Sequence, residues 1–219
     1  MENLKALYQE KNYTKYIKMN EIGIFIMPSN EVRDEISEWK DKFLNEFGKQ
    51  LYLDHMPHLT LATFNTSNLN EVIKKVKKYC SSFNKNLLIE IKETDEFLDD
   101  PLTKSVTPYY LVNRNEALIN FQKDLLSNIS NFVKSKFEIN FENQNYNINN
   151  NNFGYPFVGK DWIPHLTICS LENIYIESQL KKEFLEFIPD HKFYTDHIEI
   201  YEINKSEHKK LEEIYINVE

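Results

Sequence analysis

Apolar residues recur along this chain in two rhythms, one of strands and one of helices. Residues 21–28, EIGIFIMP, are a short apolar run closed by proline, which predicts a buried strand. Ser29 or Asn30 then offers an N-cap, and Val32, Ile36, Trp39, Phe43 and Phe47 follow at helical spacing until Gly48. A second strand is predicted at 57–64, PHLTLATF. The next helix is capped near Ser67, with Leu69, Val72, Ile73 and Val76 on one face, and a third strand, LLIEIK, occupies 87–92. After a turn-like DDP at 99–101 the order starts again. A strand at 106–113, VTPYYLVN, precedes a long helix over 115–137, whose apolar face carries Leu118, Phe121, Leu125, Ile129, Phe132 and Val133. Residues 138–161 read as a polar, Asn-heavy loop with a short hairpin at 138–148; loops of this length are commonly functional or mobile. A strand at 164–171, PHLTICSL, a helix near 176–188 and strands near 193–203 and 211–218 complete the chain.

The two halves share a plan: strand, helix, a strand opening Pro-His-Leu-Thr, helix, strand. This is the pattern of an internal duplication, and two repeats are too few for a solenoid. The expected architecture is therefore α+β, a bilobal, pseudo-two-fold fold. Two antiparallel-rich sheets would flank a central cleft, with helices outside. Residues 1–219 form one such domain, with 1–20 as an N-terminal arm and 138–161 as a long loop over the cleft.

Composition narrows the function classes. The 219 residues are 41% hydrophobic and 14% aromatic, too apolar for a disordered chain. Two cysteines, Cys80 and Cys169, make neither a disulfide framework nor a zinc ribbon. The start, MENLKALYQEKNY, has no apolar segment of a signal peptide, and no run approaches the ~18 residues of a membrane span. A soluble, cytoplasmic monomer is expected. The formal charge of −8 argues against long duplex nucleic acid and favours a small nucleotide or short oligonucleotide held in a local pocket.

The strongest local signal is MPHLTLATF at 56–64 set against IPHLTICSL at 163–171. Strand side chains alternate, so His58, Thr60 and Ala62 share one face while Leu59 and Leu61 share the other. In the second copy His165, Thr167 and Cys169 lie opposite Leu166 and Ile168. Each strand thus has an apolar core face, and an imidazole and a hydroxyl on its other face. A phosphodiester suits two such strands. Its attacking oxygen must lose a proton and its leaving oxygen must gain one, which paired imidazoles perform near neutral pH. Two threonine hydroxyls can hold the non-bridging oxygens, and no metal or other cofactor is required. One isolated His-x-Thr is cheap and usually structural; two in equivalent places of a repeated plan are not.

Two H-x-[ST]-x motifs, one per lobe of a duplicated α+β fold, resemble those of the 2H phosphoesterases, which include 2′-5′ RNA ligase-like proteins and cyclic nucleotide phosphodiesterases. The resemblance covers roughly residues 20–218, with its specific part in the two motifs. It implies His58 and His165 as the catalytic pair and Thr60 and Thr167 as phosphate-binding residues. The implied activity is hydrolysis of nucleotide 2′,3′-cyclic phosphates or 2′-5′ phosphodiester bonds, including 2′-5′ oligoadenylate, cyclic oligonucleotides and RNA ends. The competing reading is a non-catalytic sensor or sequestering module that binds such a nucleotide without turning it over.

Further residues are weighed against ordinary packing. Tyr109 and Tyr110 face opposite ways on one strand, so at most one lines the cleft and stacks on a base; the alternative is core tyrosine. Tyr155, Phe157 and Lys160 precede the second motif and are candidates to cover a nucleotide, with Lys160 reaching the phosphate. Trp162 reads as structural. His55 and His58, an odd number apart, would face opposite ways on a strand, which argues against a metal pair. His191, His197 and His208 read as surface histidines. Lys74, Lys75, Lys77 and Lys78 read as a solvated helix face, and Asp99 and Asp100 as a turn.

Overall fold

Among the residues that the computed structural model describes, 19–172, 175–204 and 207–216, there are eight strands and five helices. The expected N-terminal arm lies, up to residue 18, outside the described residues, as do residues 217 and 218 of the last expected strand. β1 (Asn20–Ile26) leads to α1 (Asn30–Phe47), whose N-terminus is capped by the Ser29 hydroxyl accepting from the Val32 N–H. β2 (Leu59–Thr66), α2 (Leu69–Ser82) and β3 (Leu87–Phe97) complete the first half. The second half runs β4 (Thr107–Val112), α3 (Glu116–Ile129), α4 (Gln144–Phe153), β5 (His165–Thr167), α5 (Gln179–Glu186), β6 (His191–Thr195), β7 (His197–Asn204) and β8 (Glu207–Tyr215).

Every strand pair is antiparallel, and the order is β6-β3-β4-β5-β2-β1-β7-β8. The two expected sheets are thus halves of one continuous sheet, joined where Leu59 of β2 pairs with Leu166 of β5. In this order the two motif strands are the central neighbours. The halves are also interlaced. β3, from the first half, pairs with β4; β7, from the second, pairs with β1.

Helices cover one face of the sheet. Ile22, Ile24, Leu59, Leu61, Leu166 and Ile168 point into that layer, where they meet Val32, Ile36 and Phe43 of α1, Val72 and Val76 of α2, and Leu118, Phe121 and Leu125 of α3 in one buried core. Each such side chain contributes about 1.5–3 kcal/mol when fully buried. The lysine run of α2 stays outside this core: Lys77 pairs with Glu212 of β8 at 3.0 Å and Lys74 with Glu71 at 3.8 Å.

The segment 138–161 departs from expectation. In place of a hairpin and loop it forms α4, because its asparagines bond to backbone instead of competing with it. The Asn143 side chain caps the helix at the Asn145 N–H. Asn147 bonds both the N–H and the carbonyl of Phe141, Asn149 donates to the Pro156 carbonyl and to Asp161, and Asn150 donates to the Phe137 carbonyl. Gly154, at φ +67, ends the helix in a left-handed turn that a side chain would strain.

Candidate active site

The exposed face of β2 and β5 floors a cavity of ≈1230 Å³. His58, Thr60, His165 and Thr167 all line it, each half-buried, while Leu59, Leu61, Leu166 and Ile168 are sealed beneath them. The two histidines are held identically. Nδ1 of His58 lies 2.7 Å from the Met56 carbonyl, and Nδ1 of His165 lies 2.7 Å from the Ile163 carbonyl. A carbonyl only accepts, so each Nδ1 carries the proton, and the neutral ring keeps its lone pair on Nε2. In each motif Pro57 or Pro164 stands between that carbonyl and the histidine. Its fixed φ sets the short loop over which the ring reaches back.

The surroundings of the two rings differ. Phe25 of β1 packs on His58 with centroids 4.1 Å apart, and the ring of His208 from β8 lies 5.8 Å from that of His58. His165 packs against Tyr109 of β4 and Phe97 of β3, each at 5.0 Å. Burial pushes His58 down to about 3, and His208, His55 and Lys40 add like-charge repulsion. His165 is also lowered by burial, but Asp100 opposes that shift. In the free protein both imidazoles are therefore neutral at pH 7. Asp100 is itself buried; its carboxylate accepts from the Leu102 N–H and the Thr107 hydroxyl and so organises the 99–105 turn.

The family model for the 2′-5′ RNA ligase superfamily matches residues 28–207, a span that includes both His-x-Thr strands. The chain belongs to this superfamily. Solved structures share the fold of this superfamily member. TT0787 of Thermus thermophilus matches at TM-score 0.60 and 12% identity, over 90% of this chain and 98% of that one. E. coli LigT complexed with 3′-AMP matches at 0.56 and 15%, over 92% and 100%. A third, described as a phosphoesterase, matches at 0.56 and 16%, over 92% and 100%. No curated protein matches the chain significantly in sequence.

Within this 2H phosphoesterase fold the remaining candidates separate. Tyr155 and Phe157 line the cavity, beside Phe141 and Tyr146 from the α4 region. Trp162, 2% exposed, both packs in the core and borders the cavity. Tyr109 is on the cavity side but covered: its ring backs His165 and its hydroxyl donates to Asp95 at 3.1 Å. It therefore braces the histidine and presents no open face to a base. Tyr110 must be corrected to a core residue. It points to the helical layer, where its hydroxyl donates to Glu35 at 2.7 Å and its ring stacks on Phe184 at 5.7 Å. Lys160 also needs correction as a phosphate contact. It sits in the 3-10 turn Gly159–Asp161, exposed and outside the cavity lining, and its carbonyl accepts from Arg114.

Lys40, His55 and His208 are among the cavity residues that were not expected. His55 faces the cavity with His58, because residues 51–55 form a turn, with Tyr52 at φ 71, and the parity of a strand does not apply there. Lys40 of α1 is 6% exposed and donates to the Tyr52 and His55 carbonyls, both at 2.7 Å, clamping that turn. His208 arrives from β8, and nothing local in the sequence marks it. His191, expected on the surface, is buried with Nε2 2.9 Å from Glu35. Among the described residues one group has metal-ligand spacing: His197, Glu199 and Glu213. It lies outside the cavity, and the Lys210 ammonium already bonds both carboxylates.

Proposed function

We propose that this chain is a metal-independent phosphodiesterase. It hydrolyses nucleotide 2′,3′-cyclic phosphates or 2′-5′ phosphodiester bonds in a small nucleotide or short oligonucleotide. The observation that carries this reading is the matched pair of imidazoles on adjacent central strands. Each has Nδ1 tied to a backbone carbonyl, leaving Nε2 for one shared cavity. One such nitrogen accepts the proton of the attacking water as its oxygen bonds to phosphorus. The other, protonated, donates to the ribose oxygen as the phosphorus–oxygen bond breaks. The Thr60 and Thr167 hydroxyls donate to the non-bridging oxygens.

The charges around the two rings support a division of roles. His58, surrounded by His208, His55 and Lys40, is the harder to charge and serves as base. His165, beside Asp100, takes up the proton when a phosphate enters and serves as acid. The 3′-AMP held by the LigT relative is consistent with a nucleotide substrate.

A product assay in excess EDTA tests the proposal. The substrates are 2′,3′-cyclic mononucleotides, 2′-5′ oligoadenylate, short 3′-5′ RNA and cyclic oligonucleotides. Wild type should turn over one of these, and His58→Ala and His165→Ala should each lose about 10²–10⁴-fold in kcat. Activity that EDTA abolishes, or that both variants retain, refutes the paired-histidine mechanism. Tight nucleotide binding without turnover would make the chain a binding module instead.

A further inference from the structure

The wall beyond His58, on the side away from His165, carries two more imidazoles. The His208 ring is centred 5.0 Å from that of His55 and 5.8 Å from that of His58. β8 is three strands from β2 in the sheet order, a separation of about 14 Å if the sheet were flat. The contact therefore requires that β1, β7 and β8 curl over the cavity and deliver His208 to it. Phe25 supports both rings, 4.1 Å from His58 and 5.8 Å from His208.

Among the described residues neither the His55 nor the His208 ring makes a hydrogen bond. The carboxylate paired with His55, that of Asp54, is 3.9 Å away, beyond bonding reach. Half-buried at the cavity wall, these rings have nitrogens that a ligand can reach. The charges around them are Lys40, Lys136, Glu21 and Asp54, with Lys136 bonded to Glu21 and the exposed Lys49 4.0 Å from Asp54. Each imidazole that takes up a proton makes the wall more cationic. The His165 end is different in kind, bordered by Asp99 and Asp100 with Lys104.

We infer that His55 and His208 form a second phosphate subsite beside His58, so that the preferred substrate carries another phosphate one nucleotide from the bond that is cleaved. This rests on the phosphodiesterase reading above, and it narrows the substrate class to phosphorylated oligonucleotides over nucleotides with a single phosphate. Burial holds both rings below their ordinary value, with repulsion from His208 added at His55 and from Lys136 at His208, so a phosphate entering the subsite draws protons in with it.

Kinetics on three 2′-5′-linked adenylate dimers, with a terminal phosphate at the 5′ end, at the 3′ end or at neither, read the subsite. One phosphorylated dimer is expected to have a KM about ten-fold below that of the plain dimer, the factor of one charge-assisted hydrogen bond. His208→Ala and His55→Ala should move that ratio towards one, while His208→Gln, which keeps a donor, should retain part of it. Titration calorimetry of the same dimers into His165→Ala separates binding from turnover. If neither a dimer nor any substrate of the EDTA assay is cleaved but one phosphorylated dimer binds more tightly, and His208→Ala removes the difference, the phosphodiesterase reading falls and the subsite stands. Equal affinity for all three dimers, or a preference that survives both substitutions, overturns the subsite without touching the phosphodiesterase reading.

Discussion

Replacing Lys40 by methionine should separate the stability of this protein from the geometry of its site. The ammonium is buried and bonds the Tyr52 and His55 carbonyls, both at 2.7 Å. Burial pushes Lys40 from 10.5 down to about 8, which corresponds to about 3 kcal/mol spent keeping it charged at pH 7. Two charge-assisted hydrogen bonds, each about 1.5–3 kcal/mol, oppose that penalty. The terms nearly cancel, so Lys40→Met should destabilise the fold by no more than about 3 kcal/mol, or about 10 °C in Tm. The site should suffer more. The 51–55 turn loses its clamp three residues before His58, and a misplacement of about 1 Å is worth about 10²-fold in kcat/KM. Urea unfolding supplies the control. The folded pKa lies below the unfolded one, so the unfolded chain holds the extra proton between them. Wild-type stability should therefore rise from pH 8 to pH 10.5 by up to about 3 kcal/mol, and the methionine variant should lack that rise. A large loss of Tm with unchanged kcat/KM, or identical pH dependence in the two proteins, would refute the reasoning.

Other consequences are checked more simply. Because His58 and His165 are both held below 6.5, kcat/KM, which reports the free enzyme, should peak on the acid side of 6.5 and decline through neutrality. Bound phosphate raises both groups, so kcat should persist to higher pH; an optimum of kcat/KM above pH 7.5 contradicts this. Gln122, fully buried on α3, donates to the Leu61 and Phe157 carbonyls at 3.0 and 2.8 Å and accepts from the Gly159 N–H at 3.1 Å. Gln122→Leu orphans these backbone groups and should lower unfolding stability by about 3–5 kcal/mol, whereas a loss below about 1 kcal/mol would show that they find other partners. Tyr110→Phe should cost about 1–2 kcal/mol through its lost bond to Glu35 and leave kcat/KM within about two-fold. A larger fall in kcat/KM would return Tyr110 to the site.

The residues readable as a site before folding are those whose role is written in local pattern. Strand alternation separates His58 and Thr60 from Leu59 and Leu61, and the same holds at 165–168, so the faces of both motif strands follow from period two alone. Helical spacing likewise places Val32, Ile36, Trp39 and Phe43 in the core. The departures have specific causes. Tyr109 and Tyr110 are separable only as a pair, because register with β5 decides which one backs His165. Asparagine favours turns, so the Asn-rich segment reads as loop, yet here the amides of Asn143, Asn147, Asn149 and Asn150 find backbone partners that keep the helix. Lys160 lies near His165 in sequence but is turned outward by its 3-10 turn.

The sequence by itself determined the two motif strands, the helices that cover their apolar faces, and the paired imidazoles and hydroxyls. All of these are properties of side chains a few residues apart on a regular backbone. Tertiary structure alone decided that the two sheets are one, that β3 and β7 exchange sides, and that His208, His55 and Lys40 gather around His58. Those contacts join strands and turns distant in the chain, and their positions depend on the order and curl of the whole sheet, which no local period encodes.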